Sequence, residues 1–112
     1  MANRDNPDQS FDVEYVGKEN EQRQQNMRTM RWAKITFTAN DVIFNEVPPD
    51  DRENRRFRLL NWVVPRQSIV RNSIRENQDV NGRNIVAFDC TCGTFYIFVS
   101  RDSALILNAL RN

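Results

Sequence analysis

Histidine is absent from this 112-residue chain, and cysteine occurs only twice. Without histidine the chain alone cannot build a serine–histidine–aspartate or cysteine–histidine nucleophile, or a metal site with a histidine ligand. The two cysteines, Cys90 and Cys92, cannot complete a four-ligand zinc site. Their C-x-C spacing places both side chains on one face of an extended segment, which does not readily close a disulfide. We therefore interpret them as small apolar residues of a reduced, intracellular protein.

Long hydrophobic runs are also missing, since no stretch approaches the roughly 20 apolar residues of a membrane-spanning helix. The first residues, MANRDNPDQS, contain no apolar core of a secretion signal. Together with 28% charged residues, these features predict a soluble, cytoplasmic protein. The length predicts a single domain at residues 11–112, after a disordered polar lead at residues 1–10.

Lysine is scarce, and charge of either sign is not in excess. The formal net charge is +1, which removes the simplest argument for nucleic acid, a globally basic domain. Of the 16 basic residues, only Lys18 and Lys34 are lysines, which leaves 16 − 2 = 14 arginines. Arginine suits bidentate recognition of carboxylate or phosphate, although an ordinary surface preference for arginine explains the same count.

No pattern in the sequence predicts catalysis. The carboxylates of the loop PPDDREN have no nucleophile, glycine-rich phosphate loop or metal-ligand cluster beside them. Carboxylates in a proline-containing loop are usually solvated surface groups. We therefore expect a protein that is not an enzyme and that needs no cofactor.

Several runs between residues 11 and 64 alternate apolar and polar residues, as half-buried strands do. FDVEYVG predicts a first strand, and RWAKITFT and VIFNEV predict a hairpin around a turn at residues 39–41. The polar segment between them, residues 18–31, fits either a short helix or a loop. RRFRLLNWVV predicts a fourth strand with Phe57 and Leu59 facing inward. We expect Trp32 and Trp62 to be partly buried packing residues, with an exposed aromatic platform as the alternative.

Proline interrupts the next run, RLLNWVVPRQSIVRNSIRE. Because proline lacks the N–H that a central strand donates, Pro65 predicts a bend, and QSIVRNSIRE then predicts a fifth strand. RNIVAFDC and TFYIFVS predict a last hairpin, and SRDSALILNALRN predicts an amphipathic helix with Ser100 or Asp102 as its cap. Seven short antiparallel strands must bend into two layers or a partly open barrel, which the terminal helix would cap.

This succession resembles the pleckstrin-homology superfold, and within it the phosphotyrosine-binding (PTB) domains, tensin-type ones most closely. FDVEYVG resembles the opening strand of that family, KITFTANDVIFNEV its second and third strands, and IVAFDCTCGTFYIFVSRDSALILNAL its last hairpin and helix. The resemblance covers residues 11–110 and consists of residue-class patterns. The C-terminal helix is short for the family and lacks the phenylalanine that often closes the peptide groove, so tight capture of an Asn-Pro-x-Tyr ligand does not follow.

The resemblance implies an adaptor or scaffold module of signalling, in which a partner peptide adds as a strand beside the fifth strand and the C-terminal helix. Arginines near this edge are candidates for holding a phosphotyrosine or an acidic side chain. The expected peptide-binding residues are Ser68, Ile69, Val70, Arg71, Asn72, Ser73, Ile74, Arg75, Leu105 and Asn108, and the phosphate-binding candidates at the edge are Arg66, Arg71 and Arg75.

Two other functions remain open at this stage. The chain could be a pleckstrin-homology domain that binds phosphoinositide through the basic residues Lys18, Arg23, Arg28 and Arg31. The missing helix tryptophan and the diluting effect of Glu19 and Glu21 count against that reading. Alternatively, the same edge could serve assembly with a folded partner or self-association, and its charged residues could merely discourage pairing.

Overall fold

A computed structural model describes residues 8–20, 28–48 and 59–112 of the protein. Within those residues seven strands form one antiparallel sheet, and an α-helix follows the last strand. The strands are β1 Gln9–Asn20, β2 Arg28–Phe37, β3 Asp41–Glu46, β4 Asn61–Pro65, β5 Arg75–Gln78, β6 Asn84–Asp89 and β7 Thr94–Val99; helix α1 is Ser103–Arg111. The sheet order is β4-β3-β2-β1-β7-β6-β5, so the sheet is not closed. The expected fold class, an open bent sheet with a C-terminal helix as in pleckstrin-homology-like domains, is confirmed.

The long strand β1 belongs to both halves of the sheet, because it pairs with β2 and with β7. Its buried residues Val13 and Val16 are three positions apart, and so are Met30 and Ala33 on β2. A regular strand alternates every second residue, so both strands shift their alternation at the same point. Trp32 lies at this shift with a φ of 61°. The sheet turns from one layer to the other here.

Aromatic rings fill the space between the two layers. Phe44, which is fully buried, stacks on Tyr96 with ring centroids 5.5 Å apart and meets Phe98 edge-on at 5.6 Å. Helix α1 contributes Ile106 and Leu110 to the same buried cluster. Each such side chain contributes about 1.5–3 kcal/mol of burial free energy, so the helix is held by its apolar face.

Pro65 ends β4, as predicted. The Glu46 N–H donates to Leu60 O, and the Arg66 N–H donates to Asn40 O. The backbone N–H and C=O groups of even-numbered residues in β4 therefore point towards β3. Pro65 is an odd position whose missing N–H would point away from the ladder. A proline is therefore tolerated in this edge strand.

The predicted fifth strand at residues 67–76 is wrong over most of its length. Two 3-10 turns, Arg66–Ser68 and Arg71–Ser73, occupy it, and β5 begins only at Arg75. Ser68 Oγ donates to Pro65 O, and Ser73 Oγ donates to Val70 O. Serine side chains that bond nearby carbonyls compete with strand pairing, which accounts for both turns.

Other boundaries also differ from those predicted. Gln9 and Ser10, assigned to the disordered lead, belong to β1. Residues 18–20 and 28–31, left open between helix and loop, extend β1 and β2, whereas residues 21–27 lie outside the described part. Leu59 is exposed rather than inward-facing, because it precedes the ordered alternation of β4; Phe57 and most of the PPDDREN loop lie outside the described residues.

Helix α1 starts as the sequence indicates. Asp102 occupies the N-cap position without a side-chain cap bond, and its backbone N–H donates to Ser100 Oγ at 3.1 Å. Ser100 Oγ in turn donates to Asp12 O, which ties the helix start to β1. In the described ranges this nine-residue helix is far shorter than a membrane crossing requires, and no other helix qualifies either.

Candidate functional site

Strand β5 forms one end of the sheet and is the candidate site. All four of its residues, Arg75–Gln78, are exposed, and in the described part of the chain β5 pairs with β6 alone. An edge strand of this kind presents unpaired backbone N–H and C=O groups. The predicted edge is thus present, at residues 75–78 rather than 68–75.

Hydrogen bonds at the two ends of the β5–β6 ladder identify the groups that face outward. Asp79 N–H donates to Arg83 O, and Val70 N–H donates to Asp89 O. The backbone groups of odd-numbered residues in β6 therefore point towards β5. The register pairs Arg75 with Ala87 and Asn77 with Ile85. Bonded and non-bonded pairs alternate in an antiparallel ladder, so Arg75 and Asn77 bond β6. The backbone groups of Glu76 and Gln78 therefore point away from the sheet.

The opposite edge, β4, is less suited to adding a strand. Its outward positions are Asn61, Val63 and Pro65, by the alternation described above. Pro65 has no N–H to donate, and Pro65 O already accepts a 2.7 Å bond from Ser68 Oγ. Native sheets blunt their edges in this way. Of the two ends, β5 is the one with a regular set of unpaired groups.

Helix α1 packs on β6, the strand next to β5. Asn84, which pairs with the end of β5, donates from Nδ2 to Ser103 Oγ at 3.0 Å, so the helix begins beside this ladder. Ile74, directly before β5, is buried in the cluster that contains Ile106. The predicted peptide-binding residues Leu105 and Asn108 are both exposed on the helix. An exposed strand edge and an exposed helix face thus lie on either side of β6.

Most of the other predicted peptide-binding residues support the fold instead. Ile69 and Ile74 are each only 8% exposed and belong to the core. Val70 bonds Asp89 O through its backbone, and Ser73 Oγ accepts a 2.8 Å bond from Asp89 N–H. The segment is therefore bound to the end of β6, with an isolated bridge between Ile69 and Cys90. Ser68, Arg71 and Asn72 lie in the two 3-10 turns.

The edge arginines predicted to hold phosphate already have partners in the protein. Arg66 donates to Thr38 O at 2.8 Å and to Ala109 O at 3.1 Å, and Arg71 donates to Arg111 O at 3.2 Å. Arg75 donates to Ser73 O and pairs with Asp89 at 3.3 Å. Two of the three guanidinium groups thus satisfy carbonyls at the C-terminal end of α1, where cations also favour the helix dipole. They do not form a common phosphate pocket.

The second basic set does not converge either. Lys18 points inward, with Nζ 5.2 Å from the Trp62 ring centroid and 5.8 Å from that of Tyr96. Arg31 is exposed on the other face of the sheet. Arg28 begins β2 and its side chain is not described, and Arg23 lies outside the described residues.

The two cysteines occupy different environments in the tight turn between β6 and β7. Cys90 is buried and Cys92 exposed, and both are free thiols. Burial raises the pKa of Cys90, because the thiolate would lose hydration. Hydrogen bonds from Thr94 favour the thiolate of Cys92 and lower its pKa. Cys92 is therefore the more reactive thiol.

Trp32 is exposed, which was the alternative to the partial burial expected from the sequence. Trp62 is buried as expected, whereas Trp32 is 56% exposed. The sequence did contain a signal: with Ala33, Ile35 and Phe37 facing inward, the residue before Ala33 falls on the outer face. Nothing in the sequence indicated the positive φ.

Comparison of the chain with protein-family models, curated proteins and solved structures finds no match. The functional interpretation therefore depends on the geometry described above.

Proposed function

We propose that this protein is a non-enzymatic adaptor module that binds a linear segment of a partner protein by strand addition to β5. The observation that carries the proposal is the outward orientation of the Glu76 and Gln78 backbone groups at an exposed sheet end. A partner strand would pair antiparallel with these two residues, and α1 would flank it. Main-chain bonds would supply affinity, and contacts of alternate side chains would supply specificity.

Phosphate recognition is not part of this proposal. Arg66, Arg71 and Arg75 are held by carbonyls or by Asp89. A phosphorylated ligand would have to displace those bonds before it gained its own. The expected ligand is therefore an unphosphorylated extended peptide, and a phosphorylated peptide of the same sequence gains little affinity.

Amide hydrogen exchange tests the free edge before any ligand is known. The amides of Glu76 and Gln78 should exchange rapidly, because their N–H groups face solvent, while those of Arg75 and Asn77 should be protected by β6. Slow exchange at Glu76 and Gln78 would show that the edge is covered, and the proposal would then be abandoned.

Binding is tested by a backbone-amide NMR titration with an Asn-Pro-x-Tyr peptide library, with and without phosphate. Shifts should concentrate in β5 and on the exposed side of α1, and bound Glu76 and Gln78 amides should become protected.

A proline variant distinguishes the contribution of the Glu76 backbone N–H to peptide binding from that of its side chain. Glu76→Pro removes an outward N–H that an edge strand can spare, so the fold should persist while binding falls about tenfold or more. Glu76→Ala removes only the side chain and should bind nearly as the wild type does. Equal binding by both variants would contradict strand addition.

A further inference from the structure

A row of exposed side chains crosses the outer face of the sheet at the corner where β1 and β2 shift their alternation. It contains Trp32, Val47 and Leu59, which are 56%, 38% and 41% exposed. Val47 N–H donates to Trp32 O at 2.7 Å, so Val47, which directly follows β3, lies beside Trp32 of β2. The register of β3 with β4, continued by two residues, places Leu59 beside Val47. We call these three residues the Trp32 row.

Trp32 is held in an unfavourable backbone conformation at this position. Its φ of 61° is rare for any residue other than glycine and is an outlier for a bulky one. An outlier of this kind persists only where the surrounding structure enforces it, and such residues concentrate at binding sites. Here the pairing of β2 with β1 and β3 on both sides enforces the conformation.

A hollow of about 510 Å³ lies against the row and shows which chemistry it favours. Trp32 and Val47, with the buried Val13 and Ala33, form its apolar part. Asp12, Glu14 and Asp102 contribute carboxylates. Arg101 is the lining residue of opposite charge, so three acidic groups face one basic group.

The carboxylates of this hollow are weakly compensated. In the described part of the chain, Glu14 and Asp102 form no ion pair, and Asp102 makes no side-chain cap bond. Asp12 reaches Lys34 only at 4.0 Å, with both side chains largely in solvent. An exposed pair of this kind contributes little, so the hollow retains negative potential.

We infer that the hollow beside the Trp32 row binds an arginine side chain from a linear segment of a partner protein. Trp32 offers its indole face to the guanidinium, and tryptophan is the best aromatic partner for a cation. Glu14 and Asp102 accept its N–H groups, for which the planar fork of arginine is better suited than the lysine ammonium. Val47 and Leu59 receive the apolar residue next to the arginine. This surface involves β1 to β4 and the start of α1, and it is independent of the β5 edge.

The test uses capped glycine–arginine–glycine tripeptide as the probe and NMR as the readout. The side-chain indole N–H signal of Trp32, assigned from the Trp32→Asn variant, should shift with saturation, while that of buried Trp62 should not. The matching citrulline tripeptide has the same shape without charge and should bind about tenfold more weakly. The lysine tripeptide should fall between the two. Equal binding of arginine and citrulline would overturn the inference.

Variants test the residues themselves. Trp32→Asn keeps a residue that tolerates positive φ and should lose the arginine tripeptide, while the dispersed amide spectrum shows that the fold is intact. Glu14→Gln combined with Asp102→Asn should weaken binding about tenfold without changing side-chain shape. Asp41→Asn removes a carboxylate at the start of β3, outside the hollow, and serves as the matched control, so it should bind as the wild type does. If the double variant also binds as the wild type does, the assignment of the hollow is wrong.

Discussion

Arg66 connects three parts of the fold, and its removal is the most informative single change. Its Nε donates to Thr38 O at 2.8 Å, and its Nη1 donates to Ala109 O at 3.1 Å and to Asn112 O at 3.3 Å. The guanidinium also lies 5.6 Å from the Phe37 ring centroid. One side chain therefore joins the β2–β3 turn, the start of the 3-10 segment and the C-terminal end of α1.

The expected cost of Arg66→Ala follows from these contacts. A hydrogen bond that involves a charged group contributes about 1.5–3 kcal/mol when it is shielded from water. Arg66 is half-buried, so we count the two shorter bonds at about 1 kcal/mol each and the ring contact at about 0.5–1 kcal/mol. The sum is about 2.5–3 kcal/mol, a substantial fraction of the roughly 5–15 kcal/mol of a whole domain.

Urea denaturation of the wild type and two variants measures this cost. Arg71→Ala is the control, because Arg71 is exposed and makes one 3.2 Å bond to Arg111 O; it should cost less than about 0.5–1 kcal/mol. Arg66→Lys should recover less than half of the loss, since an ammonium cannot reproduce the planar fork. If Arg66→Ala cost no more than Arg71→Ala, the assignment of Arg66 to holding the helix would be refuted.

Three further predictions concern the core and the thiols. Burial raises the pKa of Tyr96 from 10.0 to about 12, so the fold favours the neutral phenol. The contribution of the neutral phenol to the free energy of unfolding is complete below pH 10 and is lost as the pH rises toward 12. Between those values the free energy of unfolding of the wild type should fall by about 2 kcal/mol more than that of Tyr96→Phe, and parallel curves from pH-dependent urea titrations would contradict this. At pH 8 iodoacetamide should label Cys92 in the native protein and Cys90 only after unfolding, by mass spectrometry, and Cys92→Ser should abolish the fast reaction; equal rates would count against the assigned environments. Phe44→Ala should cost about 3–5 kcal/mol in urea denaturation and Phe44→Leu about a third of that, whereas a loss below 1 kcal/mol for the alanine variant would rule out Phe44 as the centre of the core.

The sequence predicted those elements in which one local pattern decides the structure. The hairpins and the helix follow from alternation, turn residues and an apolar face, and the structure contains them. Pro65 was correctly assigned to a bend, because its missing N–H acts whatever the tertiary context.

The sequence could not predict elements that depend on distant partners. QSIVRNSIRE has strand propensity, yet the bonds of Ser68 and Ser73 to preceding carbonyls turn it into two 3-10 segments. Residues 18–20 are polar, but pairing with β7, and for Lys18 with β2 as well, makes them strand. Tertiary pairing overrides weak local preference in such segments.

The candidate sites show the same division. The existence of an exposed edge near β5 could be anticipated, whereas its register and the outward groups of Glu76 and Gln78 depend on where β6 begins. The arginines appeared to be ligand groups because the sequence does not show the helix carbonyls that they bind. The Trp32 row combines a residue of β2 with one that follows β3 and one shortly before β4, so no single stretch of sequence reveals it.

The double pairing of β1 also determines when the protein can fold during synthesis. Tyr15 must wait for its partner Val99, which is 99 − 15 = 84 residues later in the chain. At the usual rate of translation that delay is roughly 4–17 s. During this delay, the edge of β1 that will pair with β7 has unpaired backbone groups, which can pair with other chains. That side of β1 is therefore covered only after β7 has been synthesised.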